Sequence, residues 1–139
     1  MQDTTGDPTM TIQTWTIHPY WGRRWTRALR ATPAPQIREA ARDDQGGRCA
    51  VGVIAELLIV DGLLPDWDAW LAPESWDEAL ANERAFCRAA PLSVRRAVVG
   101  MNDAGRRTFR EIADWLDRQI DAQEAMLARE SGICIEARS

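Results

Sequence analysis

Residues 48–62, RCAVGVIAELLIVDG, carry one charge, Glu56, between the flanking Arg48 and Asp61. A surface helix shows an apolar stripe, whereas a helix that is apolar all round is buried. This run therefore predicts the centre of the core. Its length between the Gly46-Gly47 pair and Asp61-Gly62 suits one buried helix better than a strand, with Gly62 at the C-terminal cap. The β-branched residues Val51, Val53, Ile54, Ile59 and Val60 keep a strand open as the alternative. Gly52 costs a helix roughly 1 kcal/mol against Ala, which points to another element passing close by.

Helical spacing recurs on both sides of this run. In residues 20–30, YWGRRWTRALR, the side chains of Trp21, Trp25, Ala28 and Leu29 share one face and Arg23, Arg27 and Arg30 the other, with Gly22 weakening the first turn. ATPAP at 31–35 breaks this helix, a short second helix is expected over 36–42, and Asp43, Asp44, Gly46 and Gly47 make a turn. Residues 63–74 read as an acidic, aromatic connection anchored by Trp67, Trp70 and Leu71. Ser75 and Glu78 form a capping box. It opens a helix to about residue 89 with Trp76, Leu80, Glu83 and Cys87 on one stripe and Phe86 adjacent, and Pro91 ends it. Residues 93–101 predict another helix with Val94, Ala97, Val98 and Met101 inward and Arg95 and Arg96 outward.

Asn102, Asp103, Ala104 and Gly105 read as a turn, with Gly105 expected to supply a positive φ. Thr108 and Glu111 form a second capping box ahead of the best amphipathic helix in the chain. Phe109, Ile112, Ala113, Leu116, Ile120 and Leu127 fall at helical spacing, Asp114 is placed to pair with Arg118, and Gly132 ends the helix. TIQTWTI at 11–17 predicts a short strand ended by His18-Pro19, and ICI at 133–135 is its candidate partner. The expected architecture is mainly α: a single helical domain over residues 11–135 around a buried central helix, with a minor two-stranded β element from the termini. Residues 1–10 are expected to be a disordered tail and 136–139 a short C-terminal tail.

Composition narrows the chemistry. A chain of 139 residues fits one domain and buries a core without disulfides or metal. Cys49, Cys87 and Cys134 are widely spaced and include no CxxC pair, against a disulfide framework or zinc site. No run spans a bilayer and residues 1–10 are no signal peptide, so the expected location is the cytoplasm, without a membrane partner. All 17 basic residues are Arg, and seven Trp is heavy for this length.

The net charge of −4 comes in blocks. Residues 8–38 carry Arg and no acid, 49–83 acids and no Arg, 84–110 mostly Arg, and 111–139 mostly acids. The plain reading is oppositely charged helices lying side by side; the sharper one is a basic face that meets an acidic partner.

Three pieces in order carry a resemblance: WTRALR at 25–30, GRCAVGV at 47–53, and MNDAG at 101–105 followed by TFREIAD at 108–114. Together they resemble a family of small proteins from tailed-phage and prophage genomes. Its members show a Trp-x-x-Ala-Leu-Arg start, a Cys-Cys-Leu-Gly-Val helix and a Leu-Asn-Asp-x-Gly turn followed by Phe-x-Glu-Ile-Ala. Ala50 stands in place of the second Cys, Val51 and Met101 in place of Leu, so a role needing the Cys pair is absent here. The resemblance implies a phage or prophage origin and a bacterial host cytoplasm, and supplies no activity, cofactor or ligand.

Candidate catalytic groups are sparse. Cys49, at a helix start beside Arg48, is where a thiol pKa can fall, but buried Cys is usually a small hydrophobe. His18 lacks an identifiable nucleophile partner. Asn102, Asp103 and Gly105 lack the alternating oxygen ligands of a calcium loop. TFREIADWL at 108–116 resembles the first helix of a helix-turn-helix, but no turn or recognition helix follows.

No catalytic, cofactor or metal residue is therefore assigned, and the expectation is no enzyme. Cys49, Gly52, Asn102, Asp103, Gly105, Thr108, Phe109 and Glu111 are read as motif and core positions. The candidate interaction surface is Trp15, Trp21, Arg23, Arg24, Arg27, Arg30, Arg95, Arg96, Arg106, Arg107 and Arg110. The expected function is a protein-interaction module that binds a host or phage protein, in a host-takeover or counter-defence setting. The alternative is a nucleic-acid-associated accessory protein using the Arg/Trp helix, since bases stack on aromatics while Arg engages phosphate.

Overall fold

The apolar run forms a buried helix. The computed structural model describes residues 17–130, and within them six helices follow in order: α1 Pro19–Ala31, α2 Ala50–Val60, α3 Trp67–Leu71, α4 Trp76–Ala89, α5 Leu92–Asn102 and α6 Phe109–Glu130. The domain is mainly helical, and no strand forms among the described residues. The expected strands at 11–17 and 133–135, Trp15, both tails and the stop at Gly132 lie in whole or nearly so outside them. Ile17 is described: both of its backbone polar groups bond the side-chain amide of Gln123, at 2.8 Å each.

In α2, Ala50 to Ala55 and Leu58 are all buried. The helix packs against α1, α4 and α5, while α1 and α6 lie against each other along the most extensive contact in the fold. Trp25 is fully buried, and its indole N–H donates to the carbonyl of Ala50 at 3.0 Å. The C-terminus of α2 closes with Gly62 at φ +79°, its N–H bonding the Ile59 carbonyl while Leu63 N–H bonds that of Leu58. That pair of bonds is the Schellman cap, which glycine allows at no steric cost. A β-carbon on Gly52 would sit 2.1 Å from the Ala41 carbonyl oxygen, so the loop before α2 lies directly on this helix.

Several expectations are corrected. No helix forms over 36–42. Ile37 N–H bonds the Arg48 carbonyl, Arg48 N–H bonds that of Pro35, and Glu39 holds φ +66°, all incompatible with helical pairing. The connection at 63–74 contains α3, whose start Asp66 caps by accepting from Ala69 N–H at 2.7 Å.

On α4 the buried face is Asn82, Ala85, Phe86 and Ala89, and the expected stripe of Trp76, Leu80 and Cys87 is exposed. Phe86 rests against Trp70 with ring centres 5.1 Å apart, and Asn82 donates to the Ala69 carbonyl, which sets the helix rotation. Arg95 turns inward over the Phe86 ring and bonds Glu83 and the Ala90 carbonyl. The positive φ after α5 belongs to Arg106, at +51°, not to Gly105. Gly105 instead lies against Met101, where a β-carbon would meet the Met101 carbonyl oxygen at 3.1 Å. Asp114 pairs with Arg30 of α1 in place of Arg118.

Candidate functional site

The arginine face of α1 is turned onto α6. Arg23 reaches Asp117 at 2.8 Å, Asp121 at 2.7 Å and Glu124 at 3.1 Å, and Arg30 reaches Asp114 and Asp117 at 2.7 Å each. Hydrogen bonds donated to Asp121 and Asp117 push the Arg23 pKa up, and those donated to Asp114 and Asp117 do the same for Arg30. Partial burial pushes Asp117 up, but the two guanidinium groups outweigh it and hold this carboxyl below its ordinary range. Arg24 grips Asp61 with both terminal nitrogens and lies over the rings of Tyr20 and Trp21. Trp21 is itself buried. Of the α1 arginines only Arg27 is exposed with no ion pair among the described residues. Most of the α1 part of the expected Arg/Trp surface is thus used in holding the helices together.

The motif residues converge on one polar knot. Asn102 is buried; its Oδ1 accepts from Ala50 N–H at 3.1 Å and from Gln36 Nε2 at 2.9 Å. Its Nδ2 donates to the Ile37 carbonyl at 2.8 Å and to Asp103 Oδ1 at 2.9 Å. An amide has two donor hydrogens and one acceptor oxygen, and here all are used. Gln36 completes the knot by donating to the Arg107 carbonyl and accepting from Phe109 N–H. Asp103 also accepts from Glu39 N–H. Thr108 and Glu111 form a reciprocal cap, each accepting from the other's backbone N–H. The knot joins the start of α2, the end of α5, the start of α6 and the loop before α2. Sequence reasoning missed Gln36 and Gln123, since a lone Gln in a loop or on a polar helix face gives no local signal.

The two described thiols, Cys49 and Cys87, are not primed. Cys49 caps α2, its sulfur accepting from Gly52 N–H at 3.3 Å, and burial pushes its pKa up despite that bond. Cys87 is exposed, but partial desolvation and the neighbouring Glu83 carboxylate push its pKa up as well. His18 is exposed and meets Tyr20 edge-on. Among the described residues no group of His, Cys, Asp and Glu could hold a metal ion, and no helix is long and apolar enough to cross a membrane.

A groove of about 240 Å³ between α1 and α2, lined by Ala28, Ala31, Val53, Leu57 and Val60, is smaller than ordinary ligand pockets.

No protein-family model, curated protein or solved structure matches the chain.

Besides Arg27 on α1, what remains of the expected surface lies on α5 and at the turn between α5 and α6. Arg106, Arg107 and Arg110 are exposed, fall within five residues, and meet no carboxylate among the described residues. Arg96 is likewise exposed on α5, whereas Arg95 is committed to Glu83. The three turn arginines surround the start of α6, the positive end of its macrodipole, where cations are disfavoured by about 0.3–1 kcal/mol each. Arg106 also holds a left-handed backbone that costs a residue with a β-carbon roughly 1–2 kcal/mol. The one acid in the first turn, Glu111, is engaged in the cap.

Proposed function

We propose that this chain is a small non-enzymatic interaction module of phage or prophage origin that binds an acidic face of a host or phage protein in the host cytoplasm. The observation that carries this reading is the group Arg106, Arg107 and Arg110: exposed, without intramolecular carboxylates among the described residues, and held at the positive end of α6. An incoming carboxylate pair would meet guanidinium forks and helix dipole together. A host-takeover or counter-defence role follows from the family resemblance, and the raised pKa values of Cys49 and Cys87 weigh against a thiol enzyme.

Nucleic acid is the competing anion. The ion pairs of Arg23, Arg24 and Arg30 weigh against its binding on α1. At the turn, the only aromatic residue between 105 and 111, Phe109, is buried and offers no stacking platform. The test is affinity capture from host lysate with the wild-type chain and an R106E/R107E/R110E variant. The expected result is an acidic protein retained by the wild type, released by salt and lost with the variant. Return of the chain alone, or equal capture by the variant, overturns the reading. A low-salt gel shift that the same variant abolishes would transfer the site to nucleic acid.

A further inference from the structure

The outward face of α4 presents Trp76, Leu80 and Cys87 among charged side chains and is covered by no other element among the described residues. Trp76 is 77 % exposed and Leu80 39 % exposed, one turn apart. Leu80, Glu83, Arg84, Cys87 and Arg88 line one shallow hollow of about 450 Å³. The helix cannot rotate to hide this face, because Phe86 and Asn82 fix the opposite one against α3. A single large exposed aromatic needs no explanation, whereas a Trp and a Leu aligned beside a hollow mark a contact surface.

The charges on α4 say what covers it. Its first turn carries Asp77 and Glu78, and its second half carries Arg84 and Arg88. Glu78 bonds the Glu74 backbone and Glu83 is taken by Arg95, so the charges without an ion pair among the described residues are Asp77 at one end and Arg84 and Arg88 at the other. A helix acidic at its start and basic at its end complements itself when two copies run antiparallel. A two-fold contact is the arrangement in which one patch must be self-complementary.

We propose that this face pairs with the same face of a second copy, α4 antiparallel to α4. In that pairing each Trp76 enters the partner's hollow beside Leu80 and Cys87, and each Asp77 lies over the partner's Arg84 and Arg88. Guanidinium groups also stack favourably on an indole. The fourteen residues of α4 span about 21 Å, so the contact belongs to the small, reversible interface class, below about 1,200 Å² in total. This surface is separate from the turn arginines, and the dimer stands whether or not an acidic partner exists.

Sedimentation velocity of the full chain under reducing conditions, from about 5 to 500 µM, is the test. The expected result is a reversible dimer with a dissociation constant on the order of 10 µM, as befits a small interface. Trp76→Ala should raise that constant at least about tenfold, and the exposure of Trp76 means that the variant still folds. Asp77→Arg alone and R84D/R88D alone should each weaken self-association, and mixing the two should restore a dimer. A wild-type chain that stays monomeric to 500 µM overturns the proposal and leaves the face to a different partner. A dimer indifferent to Trp76→Ala, or a mixture that fails to pair, overturns the antiparallel α4 contact.

Discussion

Asn102→Ala tests whether the knot at the centre of the fold is structural. The substitution removes the acceptor of Ala50 N–H and the donor to the Ile37 carbonyl, and releases Gln36 and Asp103. Gln36 retains its bonds to Arg107 and Phe109, and Asp103 is only half-buried, so these two recover most of their bonding. Ala50 is fully buried, and its orphaned amide costs about 1–3 kcal/mol, with roughly 1 kcal/mol more for Ile37. The expected loss is about 2–4 kcal/mol. With a urea slope of about 1–3 kcal/mol/M, the midpoint should fall by roughly 1–2 M.

Asn82→Ala serves as the comparator. Asn82 is also buried, but its amide makes one bond, to the Ala69 carbonyl, so its loss should cost about 1 kcal/mol. Asn102→Asp gives a second arm. It keeps an acceptor for Ala50 but sets a carboxylate oxygen against Asp103 and the Ile37 carbonyl, where the native amide donates. Repulsion and burial would raise the new carboxyl's pKa in the folded state, so the folded form binds the extra proton more tightly. The deficit relative to the wild type should therefore shrink as pH falls. An Asn102→Ala midpoint within about 0.3 M of the wild type, or no larger an effect than Asn82→Ala, would refute the argument.

Two further outcomes follow from local geometry. Gly52→Ala should destabilise by about 1–3 kcal/mol despite the gain in helix propensity, because its β-carbon would strike the backbone carbonyl of Ala41; Gly100→Ala, whose β-carbon meets nothing within 4 Å, should stabilise by up to about 1 kcal/mol. Paired urea titrations check the opposite signs. Arg24 holds the Asp61 pKa down, Arg95 that of Glu83, and Arg30 with Arg23 that of Asp117, so each contributes stability that is present above the ordinary carboxylate range and lost as pH falls below about 4. Thermal melts should show this acid limb, and Asp117→Asn should flatten it; an unchanged limb counts against the α1–α6 ion pairs as its source.

Local rules made the central helix, the Thr108–Glu111 box and the α6 face as far as Ile120 legible, because each depends on residues within a turn or two. The Ser75 box forms by half, since Glu78 accepts from Glu74 N–H in place of Ser75 N–H, and Leu127 is exposed. The burial of α4 was not legible. Trp76, Leu80 and Cys87 are more apolar than Ala85 and Ala89, yet Phe86 against Trp70 and Asn82 on Ala69 select the other face. The loop before α2 failed for a related reason. Its backbone bonds go to Arg48 and to side chains from α5, more than fifty residues away. Charge blocks foretold that oppositely charged helices meet, but only the register of α1 on α6 decides that Arg23 and Arg30 find carboxylates while Arg27 does not.

That register separates two kinds of arginine. On α1, Arg23 and Arg30 share their charge with α6, and Arg24 shares its charge with Asp61 while lying over Trp21; each exposed pair alone adds at most about 1 kcal/mol. Arg106, Arg107 and Arg110 relieve no charge among the described residues, and they sit where the α6 dipole opposes them. Packing does not require them: Gln36 bonds the backbone of Arg107, and Phe109 provides the buried contact between them. A net charge of −4 is compatible with a locally basic site, because none of the acids among the described residues pairs with these three arginines. An anionic partner would relieve the unfavourable dipole placement and the positive cluster together. The hydrogen bonds of Gln36 already fix the backbone at Arg107 and Phe109, so the ordering cost of such a contact falls on the three side chains.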